Sequence, residues 1–490
     1  MTGWPAQPVV YEVDTWVWLA ELGPDRTLGT VPAEAWDALA LPGVDAVWLM
    51  GVWERSPAGL DIALHDEELT ASFARALPDL APADVVGSPY CIRRYVVDDR
   101  LGGPAGLAAA RAELARRRVR LLLDYVPNHV APDHPWVRER PEVFVRGSEG
   151  DLAREPDAFV EVDGQVLARG RDPYFPPWPD VVQLDAFSSR MRDATVETLA
   201  DIGDQCDGVR CDMAMLLLTD VFAKTWGDRV GPPPETEFWP EILGRVRDRH
   251  PEMLFVAEAY WDLEWALQQQ GFDHCYDKRL YDRLAGEDAA SVRAHLAAGV
   301  DYQRRLVRFL ENHDEPRAAA TLAPVERERA AALVIATLPG ATLWHEGQFD
   351  GRTVRLPVFL GRRPAEPLSA DLRRFHLDLV AAVAASGMRA GQWQALDCTG
   401  WPDNPSYRQV VAWSWRDGDR RHLVVVNLAA APAQARVRLP WPELRGRSWQ
   451  LAPVLAGETF DRAGAEMVDP GLFVSLEPWG WHAVELVPAG

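Results

Sequence analysis

Four short apolar segments of the 490-residue chain each run into a carboxylate. The four carboxylates are Asp124, Asp212, Glu258 and Asp314, and two histidines and an arginine lie within a few positions of them. A group of carboxylates that does not match a metal-ligand pattern is typical of an enzyme that hydrolyses glycosides. In that reaction one carboxylate attacks the anomeric carbon, a second protonates the leaving oxygen, and a covalent intermediate forms. The spacing therefore predicts a glycosidase, if the fold brings these groups together.

The surroundings of Asp212 and Glu258 divide these two roles between them. Side chains alternate along a strand, so Arg210 shares a face with Asp212 and favours its ionised form, which a nucleophile requires. Glu258 follows an apolar segment and precedes Ala259-Tyr260-Trp261. Such apolar and aromatic surroundings raise a carboxyl pKa, as a general acid requires. We therefore predict Asp212 as the nucleophile and Glu258 as the acid/base.

Other interpretations of these residues exist. Taken singly, each carboxylate could cap or begin the helix that follows its strand. Four at comparable positions, with His129 and His313 close by, favour a shared site instead. A zinc cluster of Asp124, His129, Asp133 and His134 is a further interpretation, but this spacing matches no zinc-protease motif.

The elements that must position these residues follow a regular alternation. Eight short, largely apolar segments have the pattern of buried parallel strands: 9–18, 44–50, 119–126, 208–212, 254–257, 274–276, 305–310 and 341–345. Helical patterns lie between or after them, at 104–118, 188–202, 235–249, 326–338 and 371–386. Eight alternations predict an α/β fold of the (β/α)₈ (TIM) barrel type, whose chemistry sits at the C-terminal ends of the strands.

Two further parts interrupt and follow the predicted barrel. The segment after the third strand is too long for a structureless loop and carries a hairpin pattern around Asp163-Gly164. Near the C-terminus short alternating strands take over, with Asp417-Gly418-Asp419 as a hairpin turn. We predict a barrel of residues 1–129 and 188–387, an inserted domain of residues 130–187, and a C-terminal antiparallel β-sandwich domain of residues 388–490.

The segments that carry the carboxylates resemble the four sequence regions of the α-amylase family, glycoside hydrolase family 13. In order, they are Asp-Tyr-Val-Pro-Asn-His at 124–129, Gly-Val-Arg-Cys-Asp at 208–212, Phe-Val-Ala-Glu at 255–258 and Phe-Leu-Glu-Asn-His-Asp at 309–314. Residues 180–185 resemble an additional region near the end of that family's domain B, and Leu338-Pro-Gly340 also fits. The resemblance covers the whole chain. It implies a retaining α-glycosidase with a barrel, an inserted domain B and a C-terminal β domain.

The resemblance also implies a role for each matching residue. Asp212 would form the β-glycosyl-enzyme intermediate, Glu258 would be acid/base, and Asp314 would hold the 2- and 3-hydroxyls of the sugar in subsite −1. Asp124 would orient its neighbours. The residues that would contact the same sugar are Tyr90, as a stacking ring, together with His129, Arg210 and His313.

The sequence departs from the family on the acceptor side. Typical members carry a Lys-His pair three and four positions after the nucleophile, where this chain has Met215 and Leu216. Ordinary endo-acting starch hydrolysis is therefore not implied, and the subsites for the leaving sugar must be built differently.

The family also suggests a metal that this sequence does not specify. Asn128 matches a calcium ligand of the family, and Asp163, Asp172 and Asp180 could supply further oxygens. Nothing in their spacing defines a site, and part of the family's site comes from the missing Lys-His segment. We therefore expect no required cofactor and leave calcium open.

Composition limits the partners and the cell compartment. The chain has 51 Lys+Arg against 73 Asp+Glu, a net charge of −22, which argues against nucleic acid or an anionic membrane as partner. A neutral α-glucan needs no such attraction. Five cysteines form no CxxC pair, and the N-terminus has no basic and apolar leader. These features predict a cytoplasmic protein with no membrane span.

The 21 tryptophans are mostly expected to pack in the core. Two have positions that favour contact with substrate. Trp53 lies at the end of the second strand, and Trp261 lies just beyond Glu258. We predict both as flat platforms for sugar rings.

Three functions compete at this stage. The leading prediction is a retaining glycoside hydrolase that cleaves α-glucosidic bonds in oligo- or polysaccharides. A glucanotransferase-like transglycosylase would use the same intermediate, and apolar Met215 and Leu216 near the acceptor would favour sugar over water. A non-catalytic carbohydrate-binding or assembly protein is disfavoured, because both Asp212 and Glu258 are present. Linkage, chain length and oligomeric state stay open.

Overall fold

A closed barrel of eight parallel strands forms the centre of the computed structural model, which describes residues 3–286 and 289–489. The strands are β1 (Val9–Asp14), β2 (Ala46–Met50), β3 (Arg120–Tyr125), β4 (Gly208–Cys211), β5 (Leu254–Ala257), β6 (His274–Tyr276), β7 (Leu306–Arg308) and β8 (Ala341–His345). Each strand pairs with its neighbour in chain order, and β8 closes on β1 with Thr342 opposite Val9. The predicted barrel is confirmed.

The first strand is shorter than its apolar pattern predicts. It ends at Asp14, whose side chain accepts a hydrogen bond from the backbone N–H of Val17 and caps the helix Thr15–Leu22. The second half of segment 9–18 was therefore wrong as a strand. Capping by aspartate starts a helix even within an apolar run.

The helices lie between and around the strands. Their bounds are Thr15–Leu22, Ala33–Leu39, Pro57–His65, Glu67–Ala76, Gly103–Arg116, Trp136–Glu139, Glu149–Arg154, Ser189–Gly203, Thr219–Trp226, Phe238–Arg249, Glu264–Gln269, Lys278–Ala285, Ala289–Leu296, Val300–Arg304, Ala318–Thr321, Val325–Thr337, Ala370–Ser386 and Gly464–Glu466. The five predicted helices are among them, with ends shifted by up to three residues. None of the described helices combines the length and apolar character needed to cross a membrane.

The two ends of the connection from β3 to β4 lie next to each other. Strand His129–Val130 pairs antiparallel with Val182–Gln183, which joins the two ends of the connection beside the barrel. The predicted hairpin is present, with Phe159–Val162 paired to Gln165–Ala168. Its turn residues have positive φ, as a tight hairpin turn requires (Asp163 50°, Gly164 73°). The domain limits at 130 and 187 stay a prediction.

The C-terminal part consists of two antiparallel sheets, as predicted. Strands Gln392–Leu396, Val410–Asp417, Arg420–Asn427, Trp481–Pro488, Ser448–Pro453 and Phe460–Ala463 form one sheet, in that order. Cys398–Thr399, Ala433–Val437 and Leu472–Leu476 form the other. Apolar side chains of both sheets share one core. Trp413 and Trp415 donate indole hydrogen bonds to the carbonyl of Thr337, which ties the larger sheet to a barrel helix.

Candidate active site

One buried guanidinium connects three of the four predicted carboxylates. Arg210 Nη1 donates to Asp212 Oδ1 at 2.8 Å and lies 3.4 Å from Asp124 Oδ1. Its Nη2 forms an ion pair with Glu258 Oε2 at 2.7 Å. Parallel register brings the groups together, because Arg210 lies opposite Asp124 on β3. The strand ends therefore converge as the barrel prediction requires.

Glu258 accepts hydrogen bonds on both oxygens. The backbone N–H of Met213 donates to Oε2 at 2.6 Å, and the Tyr260 hydroxyl donates to Oε1 at 2.8 Å. Met213 has a left-handed backbone (φ 43°), unusual for a residue with a side chain, and this turn places its N–H toward Glu258. The residue after Asp212 is thereby held against the carboxylate predicted as acid/base.

The fourth carboxylate, Asp314, is joined to a buried histidine. His313 Nε2 lies 3.0 Å from Asp314 Oδ2 and 2.7 Å from the Tyr90 hydroxyl. The rings of Tyr90 and His313 are stacked, 5.4 Å apart. His313 Nδ1 contacts the carboxylate of Glu12, which is fully buried on β1. Sequence reasoning missed Glu12, although a lone glutamate inside the apolar run Val9-Val10-Tyr11-Glu12-Val13 was the available signal.

A cavity of about 380 Å³ opens beside these groups. Predicted residues that line it are Asp212, Glu258, Asp314, Tyr90 and His129. The lining also includes Trp178, Met213, Tyr260 and Phe359, which were not predicted as site residues. Trp178 comes from the β3–β4 connection, and its ring lies 5.2 Å from that of His129. No local motif marks Trp178 or Phe359, because both reach the cavity from long connections.

The prediction for Trp53 was wrong. Its side chain is 1 % exposed, and its indole N–H donates to the carbonyl of Asp124 at 2.8 Å. The ring also packs edge-on against Tyr95, so it has no free face for a sugar. Trp261 lies partly exposed, with its ring against Tyr174. Its role as a platform stays a prediction.

Met215 and Leu216 do not reach the acceptor side either. They are 0 % and 2 % exposed and belong to the barrel core. The suggestion that these two side chains repel water from the acceptor was therefore wrong. Met213, two residues before Met215, is the residue of this segment that lines the cavity.

Burial governs the protonation of the candidate nucleophile. Burial raises the pKa of Asp212 to about 8, and the neighbouring carboxylates Glu258 and Asp314 act in the same direction. Arg210 opposes this shift but does not cancel it. The sequence analysis considered only the effect of Arg210 and so expected Asp212 to be ionised. Without substrate, the pKa of Asp212 is raised instead. Burial likewise raises the pKa of Asp124 to about 6 against the influence of Arg210 and Trp48. Arg210 therefore does not outweigh burial at either Asp212 or Asp124.

The histidines of the site differ in charge. Burial would lower the pKa of His313, but Asp314 and Glu12 outweigh it and raise that pKa well above the ordinary value. His313 and Arg210 in turn overcome burial and lower the pKa of Asp314. Burial lowers the pKa of His129 to about 4, so His129 is neutral at pH 7. A cationic His313 and an ionised Asp314 can thus hold sugar hydroxyls, while His129 presents a neutral ring.

Three of the residues named for calcium, Asn128, Asp163 and Asp172, bond to other groups of the protein. The side chains of Asn128 and Gln183 bond each other, and Gln183 Nε2 donates to Asn128 Oδ1 at 2.8 Å. Asp163 pairs with Arg138, and Asp172 accepts from backbone N–H groups of its own loop. The described residues include no cluster of three or more His, Cys, Asp or Glu suited to a metal. Asp180, the fourth residue named for calcium, lines the active-site cavity.

Comparison with known sequences identifies distant relatives. No family model matches the chain. It is 25 % identical over 449 residues to the alpha-amylase MalA of Haloarcula japonica, covering 88 % of this chain and 56 % of that protein. It is 25 % identical over 187 residues to an alpha-1,4-glucan:maltose-1-phosphate maltosyltransferase of Pseudomonas aeruginosa, covering 37 % of this chain and 24 % of that protein. The chain thus spans little more than half of the first relative's length and about a quarter of the second's.

Solved structures share the fold along nearly the whole chain. The noncanonic maltogenic alpha-amylase AmyB of Thermotoga neapolitana matches with a TM-score of 0.71 at 18 % identity, covering 98 % of this chain and 99 % of that one. The alpha-amylase of Geobacillus thermoleovorans, solved with acarbose, matches with a TM-score of 0.69 at 15 % identity, covering 98 % of both chains. The chain thus shares the fold of α-amylases, with carboxylates at the ends of its barrel strands, and is similar in sequence to one of them over most of its own length.

Proposed function

We propose that the protein is a retaining glycosidase that cleaves α-glucosidic bonds in oligo- or polysaccharides through a glycosyl-enzyme intermediate. The observation that carries this proposal is the contact of Arg210 with both Asp212 and Glu258 at one cavity. Two carboxylates on one guanidinium lie close together, and retention requires a separation of about 5–5.5 Å rather than the wider gap that admits water between them.

In the proposed reaction the two carboxylates act in turn. Asp212 attacks the anomeric carbon while Glu258 gives a proton to the departing oxygen, so the sugar becomes esterified to Asp212. Glu258 then takes a proton from water as the water oxygen displaces Asp212. Asp314 and His313 would hold the sugar that reacts, and Arg210 would hold the nucleophile.

A second cavity supports a substrate longer than one sugar. It measures about 540 Å³, begins at His313 and Asp314, and continues along Arg355, Leu356 and Phe359. This groove lies on the side of Asp314 rather than of Glu258, so it would receive the part of the substrate that remains on the enzyme. We therefore propose an α-glucan or α-glucosidic oligosaccharide as the substrate, and no nucleic acid or membrane as partner.

The stereochemistry of the product tests the proposal. We expect the sugar released from α-linked oligosaccharides to keep the α configuration, because two displacements at one carbon restore it. Proton NMR within the first minutes of reaction, before mutarotation, measures the anomer, and a panel of α-linked disaccharides and maltooligosaccharides defines the linkage. A β product, or no cleavage of any α-linked substrate, would contradict the proposal.

A transglycosylase is the second candidate function. The Pseudomonas aeruginosa relative is named as a maltosyltransferase, and the cavity that holds Asp212 and Glu258 is lined in part by Trp178, Met213 and Phe359, whose aromatic and apolar side chains suit packing of a second sugar. The same intermediate would then be attacked by a sugar hydroxyl instead of water. Product sizes larger than the starting oligosaccharide would identify this activity.

The pH dependence of kcat/KM provides a further prediction. Asp212 must be ionised to attack, and its pKa in the free site is raised to about 8. Because kcat/KM reports the free enzyme, we expect it to fall as the pH drops toward and below this value. The profile is measured with α-maltosyl fluoride between pH 4 and 9. An acid limb near the ordinary carboxyl pKa of about 4 would contradict the raised pKa.

Asp124→Asn tests the cause of that shift. Asp124 is one of the charges that raise the pKa of Asp212, so its neutralisation should move the acid limb to lower pH. Asparagine can still accept the indole hydrogen bond of Trp48, which keeps the local packing. Asp220→Asn is the control, since Asp220 is exposed on the helix Thr219–Trp226, and it should leave the limb in place.

We further propose a cytoplasmic location and the domain limits given above. All five cysteines are unpaired, which suits a reducing compartment. Cell fractionation tests the location, and limited proteolysis near residues 130, 187 and 388 tests the limits.

A further inference from the structure

The groove that begins at His313 and Asp314 contains two arginines without an acidic partner. Arg75 and Arg355 both line this groove, and both are exposed. Within residues 3–286 and 289–489, which the structure describes, no carboxylate lies within ion-pair distance of either guanidinium. The chain has a net charge of −22, so carboxylates are plentiful elsewhere on the molecule. Two unpaired cations in one groove therefore favour an anionic ligand.

Arg355 differs from the arginines around it. The connection that follows β8 contains four arginines, and three of them form ion pairs with carboxylates. These pairs are Arg352 with Glu21, Arg362 with Asp84, and Arg363 with Glu346. Arg355 is the fourth arginine of this connection, and it lines the groove without such a partner in the described part of the chain. Its positive charge is thus available to a bound molecule.

Arg75 reaches the same groove from a different part of the chain. It lies in the last turn of the helix Glu67–Ala76, where the helix dipole favours a cation, so its charge alone would not indicate a ligand. Its helix is packed against the segment that contains Arg355. The ring of Phe73 lies 5.4 Å from that of Phe359, and both rings belong to one apolar cluster. The backbones that carry the two arginines are therefore held together before any ligand binds.

The one carboxylate that lines the groove is already compensated. Asp314 Oδ2 lies 3.0 Å from His313 Nε2. Burial would raise the pKa of Asp314, but His313, Arg210 and Arg355 together lower it. Arg355 is therefore close enough to act on the carboxylate at the catalytic end of the groove. Because His313 offsets the charge of Asp314, the charges of Arg75 and Arg355 remain in excess.

This excess charge matches a phosphate group. A phosphate monoester carries a charge of about −1.5 to −2 at pH 7, close to the opposite of two guanidinium groups. The planar guanidinium of arginine donates two parallel hydrogen bonds to phosphate oxygens, which a lysine ammonium cannot do. Two arginines from separate elements could thus hold one phosphate from two directions.

We propose that Arg75 and Arg355 bind a phosphate monoester on the substrate, so that the preferred substrate is a phosphorylated α-glucan oligosaccharide. This role rests on the proposed retaining mechanism, in which the sugar beside Asp314 becomes esterified to Asp212. The groove extends away from Asp314, so the phosphate belongs to a sugar beyond the one that reacts and stays on the enzyme with it. The phosphate takes no part in the bond changes and serves only to hold the substrate.

The test compares two donors, α-maltosyl fluoride and the same compound with a 6-phosphate on its outer glucose. Fluoride release gives kcat/KM for each donor, and the ratio of the phosphorylated to the neutral value is the readout. We expect this ratio to be about tenfold or more in the wild type at low salt, and to fall as salt is added. Arg75→Gln and Arg355→Gln should each lower the ratio by about tenfold. Arg355→Lys keeps the charge and should retain part of the preference.

The ratio compares each variant with itself, so a general loss of activity or stability cancels. Arg374→Gln is the matched control, because Arg374 is exposed on the helix Ala370–Ser386 and does not line the groove. Its ratio should equal that of the wild type.

Three results would overturn the phosphate site alone. They are a wild-type ratio at or below one, a ratio that either glutamine variant leaves unchanged, and a fall in the Arg374→Gln ratio as large as that in the two groove variants. An equal loss on both donors in a groove variant is a case of the second result, and would show that the arginines contact neutral sugar hydroxyls. Absence of fluoride release from both donors with the wild type would instead overturn the retaining mechanism, and the phosphate site with it.

Discussion

Asp212→Asn is expected to lower kcat by at least about 10⁴-fold, because it removes the atom that forms the glycosyl-enzyme bond. The amide oxygen can still accept the hydrogen bond from Arg210, so the site should keep its shape. Initial rates of fluoride release from α-maltosyl fluoride measure the loss. Activity within tenfold of the wild type would exclude Asp212 as the nucleophile. Asp220→Asn, on the exposed surface, should retain full activity.

The same substitution should not destabilise the fold. Burial raises the pKa of Asp212 to about 8, so the folded protein holds a proton that the unfolded chain releases above about pH 4. The wild type therefore loses stability as the pH rises from about 4 to about 8, and asparagine removes that loss. We expect the advantage of Asp212→Asn in the free energy of unfolding to grow across this range and then level off. Urea unfolding at several pH values measures it.

Glu258→Gln is expected to lower kcat on maltooligosaccharides by about 10²- to 10⁴-fold, the usual contribution of a general acid or base. Its effect on the first step with α-maltosyl fluoride should be much smaller, because fluoride leaves without a proton. The glutamine oxygen can accept from Met213 and Arg210, and its amide can donate to the Tyr260 oxygen, so the fold has no reason to change.

Azide separates an acid/base role from a structural one. In the Glu258→Gln variant, the small azide anion can enter the site and attack the intermediate without a base. This should restore turnover and yield an α-glycosyl azide. Mass spectrometry and NMR identify that product. A variant that is equally slow with fluoride and oligosaccharide donors, and that azide does not rescue, would show that Glu258 supports the site without transferring a proton.

Local sequence patterns were sufficient to predict the barrel and to identify the carboxylates at its strand ends. Eight apolar segments alternate with helices, and the period of each is visible within a dozen residues. The error in segment 9–18 arose because one capping residue, Asp14, begins a helix inside an apolar run. The hairpin at Asp163-Gly164 was predictable, since its turn chemistry is local.

Aromatic residues show where local reasoning ends. Trp53 and Trp261 both follow barrel strands, yet Trp53 is buried against Asp124 and Trp261 meets Tyr174 at the edge of the site. The difference depends on residues that are distant in sequence. Trp178 and Phe359 enter the cavity from long connections whose paths no periodicity describes.

By itself the sequence determined which chemical groups are available and at which end of the barrel they lie, because strand ends and alternation are local properties. Only the tertiary structure decided which of those groups form ion pairs and which of them are protonated. Arg210 contacts Asp124, Asp212 and Glu258 together, and Glu12, 301 positions away in the sequence, contacts His313. Protonation follows from burial and from every neighbouring charge at once, so the raised pKa of Asp212 emerges only when the barrel closes.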